Sequence, residues 1–324
     1  MLQRSQRQPI TIGLFGQFDA SVKEYLSSCQ IIERETVEGF SINSVIPELD
    51  GIILRSPFKL DDEAASLAGR LKWIVRAGSG TDNISPLFTA RGVIVRTTPI
   101  NAYSVAELVI ALVLSLLRNI RVGHESLRQG LWSKHALVGR ELRTKTIGIL
   151  GYGRIGREVS LLMRCFGTTI LAFDRTPTTL EKLRVSQLSG TRLVAMETVL
   201  ANADIVVCCL PGTPQTSGLF NKARLQSMRP GALLINAGRG SLIDLEALTA
   251  ALESGRLAGA ALDVFPAEPP GRIRLLEMHN VVCTPHLGAQ TLETHKAIGA
   301  GVINHLLDLL SDEVEIGVMA SDNR

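Results

Sequence analysis

A glycine-rich loop between a strand and a helix restricts the fold of this chain more than any other feature. Residues 146–156 read TIGILGYGRIG, so Gly151, Gly153 and Gly156 form the pattern GxGxxG. The residues before the loop are β-branched or apolar, as in a buried parallel strand, and helical spacing follows. The first glycine permits a tight turn, the second lets a pyrophosphate approach the backbone, and the third lets the helix pack on the sheet. The loop therefore predicts a βαβ unit whose helix N-terminus binds a dinucleotide.

An acidic residue ends the next predicted strand, which reads ILAFD. Asp174 lies 18 residues after Gly156, where its carboxylate can accept hydrogen bonds from the adenosine ribose hydroxyls. The same charge would repel a 2′-phosphate, so the pattern predicts NAD as the cofactor. Arg175 follows directly and could pair with a 2′-phosphate, which leaves NADP disfavoured but open.

The chain of 324 residues is long for one hydrophobic core and predicts two domains. Buried parallel strands are predicted in a first series at 10–15, 51–54, 73–77 and 93–96, and in a second at 146–150, 169–173, 205–210, 232–235, 259–262 and 281–284. The fold class is therefore α/β, with one flavodoxin-like and one Rossmann-like domain, each a doubly wound parallel sheet, and a cleft between them. We expect a discontinuous substrate-binding domain, 1–100 plus 290–324, and an NAD-binding domain at 101–289.

Charge and cysteine usage exclude several classes of function. The net charge is only +3 and the basic residues are scattered, which argues against nucleic acid and membrane surfaces as partners. The apolar helix predicted at 105–117 is too short to span a bilayer. Residues 1–9 lack the apolar core of a signal peptide, and the five cysteines have no disulfide or zinc spacing. These features predict a cytoplasmic protein without a metal.

Three later segments each place an ionisable residue just beyond a predicted strand, where doubly wound folds build their sites. They read INAGRGSLID with Arg239, ALDVFPAEPP with Asp263 and Glu268, and CTPHLGAQT with His286. Hydride transfer from an alcohol needs a base for the hydroxyl proton, and histidine titrates near neutrality. A carboxylate can hold its tautomer, and an arginine can bind a substrate carboxylate through two parallel hydrogen bonds. Each residue could also be structural or solvated, and this alternative stays open for Arg239 and Glu268 in particular.

These segments resemble the D-isomer-specific 2-hydroxyacid dehydrogenase family over nearly the whole chain. GYGRIG is similar to the nucleotide loop of the family, NAGRGSLID to its arginine motif, ALDVFPAEP to its acid motif and TPHLGAQT to its histidine motif. The resemblance implies an NAD-dependent oxidoreductase acting on the CH–OH group of a small D-2-hydroxy acid. It also implies that Arg239, Glu268 and His286 are the catalytic residues.

The resemblance further implies which residues contact the cofactor. Besides Gly151, Gly153 and Gly156, these are Arg154, Ile155, Asp174, Leu210, Pro211, Thr216, Ala237, Asp263 and Ser79.

The segment RAGSGTDNI resembles the substrate loop of the family, in which backbone N–H groups bind the substrate carboxylate. The implied substrate-binding residues are Arg55, Ser56, Arg76, Gly78, Ser79 and Gly80, together with Arg239 and His286. Two arginines, Arg55 and Arg76, resemble the pair that phosphoglycerate dehydrogenases place at the substrate phosphate, and two guanidinium groups would favour a dianion. The expected substrate is 3-phosphoglycerate or a similar phosphorylated acid. The alternative that Arg76 merely caps a strand, or that Arg55 pairs with an acid, stays open.

Other activities on the same fold stay open. They are a glyoxylate/hydroxypyruvate reductase, a phosphonate- or phosphite-type dehydrogenase, and an NAD-sensing corepressor that binds rather than catalyses. The apolar helix at 105–117 resembles the element through which relatives form homodimers, so a two-fold dimer is expected.

Overall fold

The computed structural model describes residues 9–175 and 179–319, with the side chains of 311–319 excepted. The expectation about a signal peptide falls largely on residues outside this range. The chain divides into two compact units, the first formed by Met1–Asn101 with Thr291–Arg324 and the second by Ala102–Gln290.

The first unit is a five-stranded parallel sheet with helices around it. Its strands are β1 Thr11–Phe15, β2 Gln30–Arg34, β3 Gly51–Leu54, β4 Trp73–Arg76 and β5 Ile94–Thr97, and its helices are α1 Ala20–Tyr25, α2 Asp62–Leu67, α3 Leu87–Ala90 and α11 Leu292–Met319. The strand order β2-β1-β3-β4-β5 is the flavodoxin-like order. The chain returns to this unit only through α11, which places Ile298, Val302 and Leu306 at helical spacing in the core.

The second unit is a seven-stranded parallel sheet. Its strands are β6 Thr146–Leu150, β7 Thr169–Phe173, β8 Arg192–Leu193, β9 Ile205–Cys208, β10 Ala232–Asn236, β11 Leu257–Leu262 and β12 Val281–Cys283. Its helices are α4 Ala102–Leu117, α5 Ile120–Arg128, α6 Arg154–Arg164, α7 Leu180–Ser189, α8 Met196–Asn202, α9 Lys222–Ser227 and α10 Leu245–Glu253. The order is β12-β11-β10-β9-β6-β7-β8, a Rossmann order with one strand added at the β11 edge.

The central strands of both sheets are buried on both faces, which explains their continuous apolar sequences. β9 and β10 have no exposed residue, and neither have β3 and β4. Because all strands of a sheet run in parallel, the loops that follow them meet at one edge. Every residue singled out by the sequence motifs of the second unit lies at that edge.

The predicted fold class is confirmed, and two strands were missed. β2 is an edge strand with a partly exposed, charged sequence, QIIER, which lacks the apolar run used to identify the others. β8 is two exposed residues long. Helix α4 contributes Val105, Val109 and Val113 to the core of the second unit, which is why it is apolar.

Candidate active site

The glycine loop after β6 has the shape that a dinucleotide requires. Gly151 has a φ of +98°, and its N–H donates to the Phe173 carbonyl oxygen at 2.9 Å. A Cβ on Gly156 would lie 2.1 Å from the Gly151 carbonyl oxygen, so the helix start must pack without a side chain there. A Cβ on Gly153, the residue that precedes α6, would meet no described atom within 4 Å. The loop thus closes tightly at its ends and leaves open space above Gly153, where a pyrophosphate would approach.

The predicted cofactor residues beside this loop lie at the start of α6. Arg154 is exposed and Ile155 is half-buried. Both positions begin the helix, whose unpaired N–H groups and positive dipole end favour an anion.

Asp174 follows β7 directly, as the sequence predicted, but it has a partner that the sequence analysis missed. The Lys182 ammonium of α7 lies 2.7 Å from Asp174 Oδ2, and the two side chains are 7% and 14% exposed. Arg175 is exposed. No pattern distinguished Lys182, because a lysine in a surface helix is usually solvated.

The loops after β9 and β10 lie against each other. The Thr216 hydroxyl donates to the Pro211 carbonyl oxygen at 2.7 Å, which closes the loop after β9. A Cβ on Gly238 would lie 2.6 Å from the Leu210 carbonyl oxygen, so the neighbour of Ala237 must be glycine for the two loops to touch. The predicted cofactor residues of these two loops therefore lie in neighbouring loops at the same edge of the sheet. They are Leu210, Pro211, Thr216 and Ala237.

His286 and Glu268 are paired in the second unit. His286 Nδ1 lies 2.8 Å from Glu268 Oε2, and the Phe265 N–H donates to Glu268 Oε1 at 3.1 Å. An ionised carboxylate only accepts hydrogen bonds, so Nδ1 carries the proton and Nε2 is left to exchange one with a substrate. Two side chains 18 residues apart in the chain thus have the geometry that a general base and an orienting carboxylate require.

Electrostatics keep Glu268 ionised. Burial by itself would raise the pKa of Glu268, but the hydrogen bond and charge of His286, the Phe265 N–H and the Arg239 charge together hold it below its ordinary value of 4.5. The carboxylate therefore stays negative at neutral pH.

Asp263 organises the loop that carries His286. Its Oδ1 accepts from the Thr284 hydroxyl and the Leu287 N–H, both at 2.7 Å, and its Oδ2 accepts from the Gly288 N–H at 3.0 Å. Burial raises its pKa, although these bonds act in the opposite direction. His286 has a positive φ of 56°, which is uncommon for a residue with a side chain. The buried carboxylate thus fixes the loop around it, and a contact from Asp263 to NAD stays a prediction.

Arg239 follows β10, on a loop fixed against the loop of Glu268. The Asn236 side chain donates to the Arg239 carbonyl oxygen at 2.9 Å, and Arg239 Nη1 donates to the Gly238 carbonyl oxygen at 2.8 Å. A Cβ on Gly240 would lie 1.8 Å from the Phe265 carbonyl carbon. Only glycine permits this approach, so the arginine and acid motifs depend on each other for their positions.

In the first unit, Arg76 is buried at the end of β4 and bonds to its own surroundings. Its Nε donates to Asn83 Oδ1 at 3.2 Å, its Nη1 to the Ala77 carbonyl oxygen at 2.7 Å and its Nη2 to the Ser56 hydroxyl at 3.0 Å. A Cβ on Gly78 would lie 2.6 Å from Arg76 Nη1. This guanidinium therefore supports the predicted substrate loop from beneath.

The tip of that loop is accessible. Ser79 is exposed and Gly80 half-buried, and the Ser79 hydroxyl donates to Asn101 Oδ1 at 2.7 Å. Backbone groups at an exposed tip suit the predicted binding of a carboxylate.

Arg55 follows β3 and lies beside His295, which no sequence motif singled out. Arg55 Nη1 donates to the Gln17 carbonyl oxygen at 3.1 Å, and Nη2 lies 3.4 Å from His295 Nε2. Burial lowers the pKa of Arg55. Burial also lowers the pKa of His295, as does the Arg55 charge, whereas Asp19 raises it. The sequence alone does not indicate that Arg55 and His295 are neighbours, because the two residues are 240 positions apart.

Comparison with known proteins places this geometry in a family. A sequence profile described as the NAD binding domain of D-isomer specific 2-hydroxyacid dehydrogenases matches residues 110–288, more than half of the chain. The chain belongs to this dehydrogenase family. The match includes the glycine loop, Arg239, Glu268 and His286.

Two family members illustrate the similarity in sequence. The chain is 36% identical over 291 residues to the D-3-phosphoglycerate dehydrogenase of Synechocystis sp., covering 89% of this chain and 50% of that protein. It is 34% identical over 292 residues to the Homo sapiens D-3-phosphoglycerate dehydrogenase, covering 90% and 54%. The chain spans about half the length of these curated relatives.

Two solved structures illustrate the similarity in fold. The D-lactate dehydrogenase of Aquifex aeolicus, complexed with NAD and lactic acid, superposes with a TM-score of 0.83 at 24% identity and covers 94% of this chain and 96% of that one. A glyoxylate reductase of Paecilomyes thermophila has the same TM-score at 29% identity and covers 92% and 95%. The predicted dehydrogenase family, its α/β fold and NAD as its cofactor are confirmed.

The structure also bears on a membrane span and on a metal site. Within the part of the chain that the structure describes, none of the helices combines the length and hydropathy that a membrane span requires. Among the same residues, no three His, Cys, Asp or Glu side chains lie together as metal ligands would. The cytoplasmic location and the dimer stay predictions.

Proposed function

We propose that this chain is an NAD-dependent dehydrogenase of D-2-hydroxy acids that carry a second anionic group, with 3-phosphoglycerate as the first candidate. The observation that carries the proposal is the 2.8 Å pair of His286 and Glu268, with the Arg239 charge acting on the same carboxylate. A base, its orienting acid and a fixed cation are the groups that oxidation of a hydroxy acid needs.

The chain's own residues supply the proton and binding steps. Arg239 binds the substrate carboxylate, and the substrate hydroxyl donates to His286 Nε2. NAD, when bound, would supply the acceptor for the hydride of the carbinol carbon. His286 takes the hydroxyl proton as this hydride leaves, and Glu268 stabilises the imidazolium through Nδ1. In the reductive direction, His286 returns the proton to the carbonyl oxygen.

The second anionic group is proposed to bind at Arg55. Arg76 is buried and makes three bonds to protein atoms, which favours a supporting role. Arg55 is half-buried, and its guanidinium can donate charge-assisted hydrogen bonds to a dianion. The curated relatives reported above are D-3-phosphoglycerate dehydrogenases, which supports a phosphorylated acid.

A substrate panel tests this proposal. NADH formation is followed with 3-phosphoglycerate, D-glycerate, D-lactate, phosphite and formate, and NADH consumption with hydroxypyruvate and glyoxylate. Turnover confined to glyoxylate and hydroxypyruvate would favour a reductase instead, an alternative supported by the likeness to a glyoxylate reductase. Turnover of phosphite would point to the phosphite-type enzyme. Silence throughout, with NADH binding intact, would favour the corepressor-like alternative.

The variant Arg55→Met separates the second anion site from the reacting centre. We expect kcat/KM for 3-phosphoglycerate to fall by about tenfold or more, because a charge-assisted hydrogen bond is lost, while glyoxylate stays within about twofold. Lys59→Met is the matched control, an exposed base four residues away. An equal loss for both substrates would place Arg55 outside the proposed anion site.

A homodimer is part of the proposal, through the segment after α4. Helix α5 has no buried residue, and Leu131, Trp132 and Val138 beyond it are exposed, Trp132 to 80%. Apolar surface of this kind is typical of an interface. Sedimentation at micromolar concentration should show a dimer that Trp132→Asp converts to monomer. Leu180→Asp, at a site 87% exposed, should leave it intact. A wild-type monomer would contradict this part.

A further inference from the structure

Helix α7 buries a lysine and exposes its leucines, the reverse of a surface helix packed for stability. Lys182 is buried, whereas Leu180 and Leu188 are 87% and 50% exposed. The Thr179 side chain accepts from the Lys182 N–H at 3.3 Å, which fixes the helix start and the origin of the lysine side chain. Burying an ammonium group is costly unless it is paired, so this placement needs a reason beyond packing.

The partner of Lys182 is Asp174, the residue predicted to bind the ribose of the cofactor. Lys182 Nζ lies 2.7 Å from Asp174 Oδ2. Asp174 follows β7 directly, at the position where a carboxylate can accept from the ribose hydroxyls of NAD and repel the 2′-phosphate of NADP. The preceding residue of the helix, Glu181, pairs instead with Arg157 at 2.7 Å and is itself 69% exposed. Of these two neighbouring ion pairs, only the first includes Asp174, and it is the more buried of the two.

We propose that Lys182 determines how strongly the chain discriminates NAD from NADP, by offsetting the Asp174 charge at the ribose end of the site. An ammonium at contact distance attracts the phosphate that the carboxylate repels. The chain therefore uses NADP as well as NAD, with a smaller preference than an uncompensated carboxylate would give. This inference depends on NAD binding by the family fold and not on the substrate proposed above.

Binding of two adenosine fragments tests the proposal without turnover. Calorimetry measures the affinities of adenosine 5′-diphosphate and adenosine 2′,5′-bisphosphate at pH 8 for the wild type and for Lys182→Met, which keeps the length of the side chain. We expect the variant to lose about tenfold or more in affinity for the bisphosphate relative to the diphosphate, the size of one close charge interaction. Glu181→Gln removes a charge from the same turn and should leave this ratio unchanged.

Asp174→Asn provides a second, independent arm. It removes the carboxylate charge opposite Lys182, so affinity for the 2′,5′-bisphosphate should rise by about tenfold or more, and Asp174→Asn/Lys182→Met should lose that gain. This arm decides the question should Lys182→Met not fold, as circular dichroism would show. Where turnover is found, the ratio of kcat/KM for NADP to that for NAD should follow the binding ratio.

Three results would overturn the proposal. The first is a Lys182→Met variant whose two fragment affinities keep the wild-type ratio or fall equally, since a purely structural lysine predicts this. The second is an Asp174→Asn variant whose gain persists without Lys182. The third is a ratio that changes with Arg175→Ala but not with Lys182→Met, which would assign discrimination to the exposed arginine.

Discussion

Replacing Glu268 with glutamine removes one charge and one acceptor from the reacting centre with little change in shape. Glu268 accepts two hydrogen bonds, from the Phe265 N–H at 3.1 Å and from His286 Nδ1 at 2.8 Å. A glutamine has one acceptor oxygen and one NH2 group, so it cannot accept from both donors. If the oxygen stays with Phe265, the NH2 group faces Nδ1 and moves the imidazole proton to Nε2.

The tautomer is the source of the expected loss. With the proton on Nε2, His286 cannot take a proton from the substrate hydroxyl. Loss of the correct tautomer in a His–carboxylate pair lowers kcat by about 10⁴-fold, and loss of general base catalysis by about 10² to 10⁴-fold. We therefore expect Glu268→Gln to lower kcat by roughly 10² to 10⁴-fold, or about 3 to 5 kcal/mol of barrier.

The assay combines turnover with cofactor binding. NADH absorbance gives kcat with the best substrate of the panel, and fluorescence titration gives the affinity for NADH. Glu277→Gln is the matched control, since its carboxylate pairs only with Arg274 among the ion pairs of the described residues. A Glu268→Gln enzyme within about tenfold of wild-type kcat would refute the assigned role. So would a loss explained by weaker NADH binding.

Four further predictions concern the second unit. Arg239→Ala should remove most turnover and leave NADH affinity nearly unchanged in a fluorescence titration; equal losses would contradict a substrate-binding role. Gly153→Ala should fold with wild-type urea stability but bind NAD about tenfold or more weakly, since its Cβ occupies the open space of the loop. Gly156→Ala should lower urea stability, because its Cβ collides with the Gly151 carbonyl oxygen; the reverse order would be inconsistent with this geometry. Glu268 has a pKa below its ordinary 4.5, so the ionised pair stabilises the fold above that pH, and this stabilisation is lost as pH falls through the lowered pKa. The urea midpoints of wild type and Glu268→Gln should differ at pH 7 and converge in acid; a constant difference would contradict the linkage.

The fold could be predicted from sequence wherever a strand is buried on both faces. β9 and β10 have continuous apolar sequences and were found, whereas the edge strands β2 and β8 carry charges and were missed. An edge strand has fewer buried neighbours, so little in its sequence separates it from a loop. Hydrophobic periodicity detects burial and not strands as such.

The candidate site divides in the same way. Glycines that a tight turn requires, such as Gly151 with its positive φ, could be predicted from their spacing. Pairings between distant side chains could not be predicted, because a single sequence does not show which side chains meet in space. Examples are the contacts of Lys182 with Asp174 and of Arg55 with His295. The sequence also did not show that Arg76 is buried, since an arginine at this position could either stabilise the substrate loop or bind the substrate.

Transfer of deuterium tests the central claim most directly. NADH carrying deuterium at both C4 positions of the nicotinamide is incubated with the best 2-keto acid, and mass spectrometry locates the label in the product. We predict deuterium on C2 of a D-2-hydroxy acid at one label per NADH consumed, and no transfer by His286→Ala while that variant still binds NADH. Bound NADH that never labels a 2-hydroxy acid, or transfer by His286→Ala at the wild-type rate, would contradict the account.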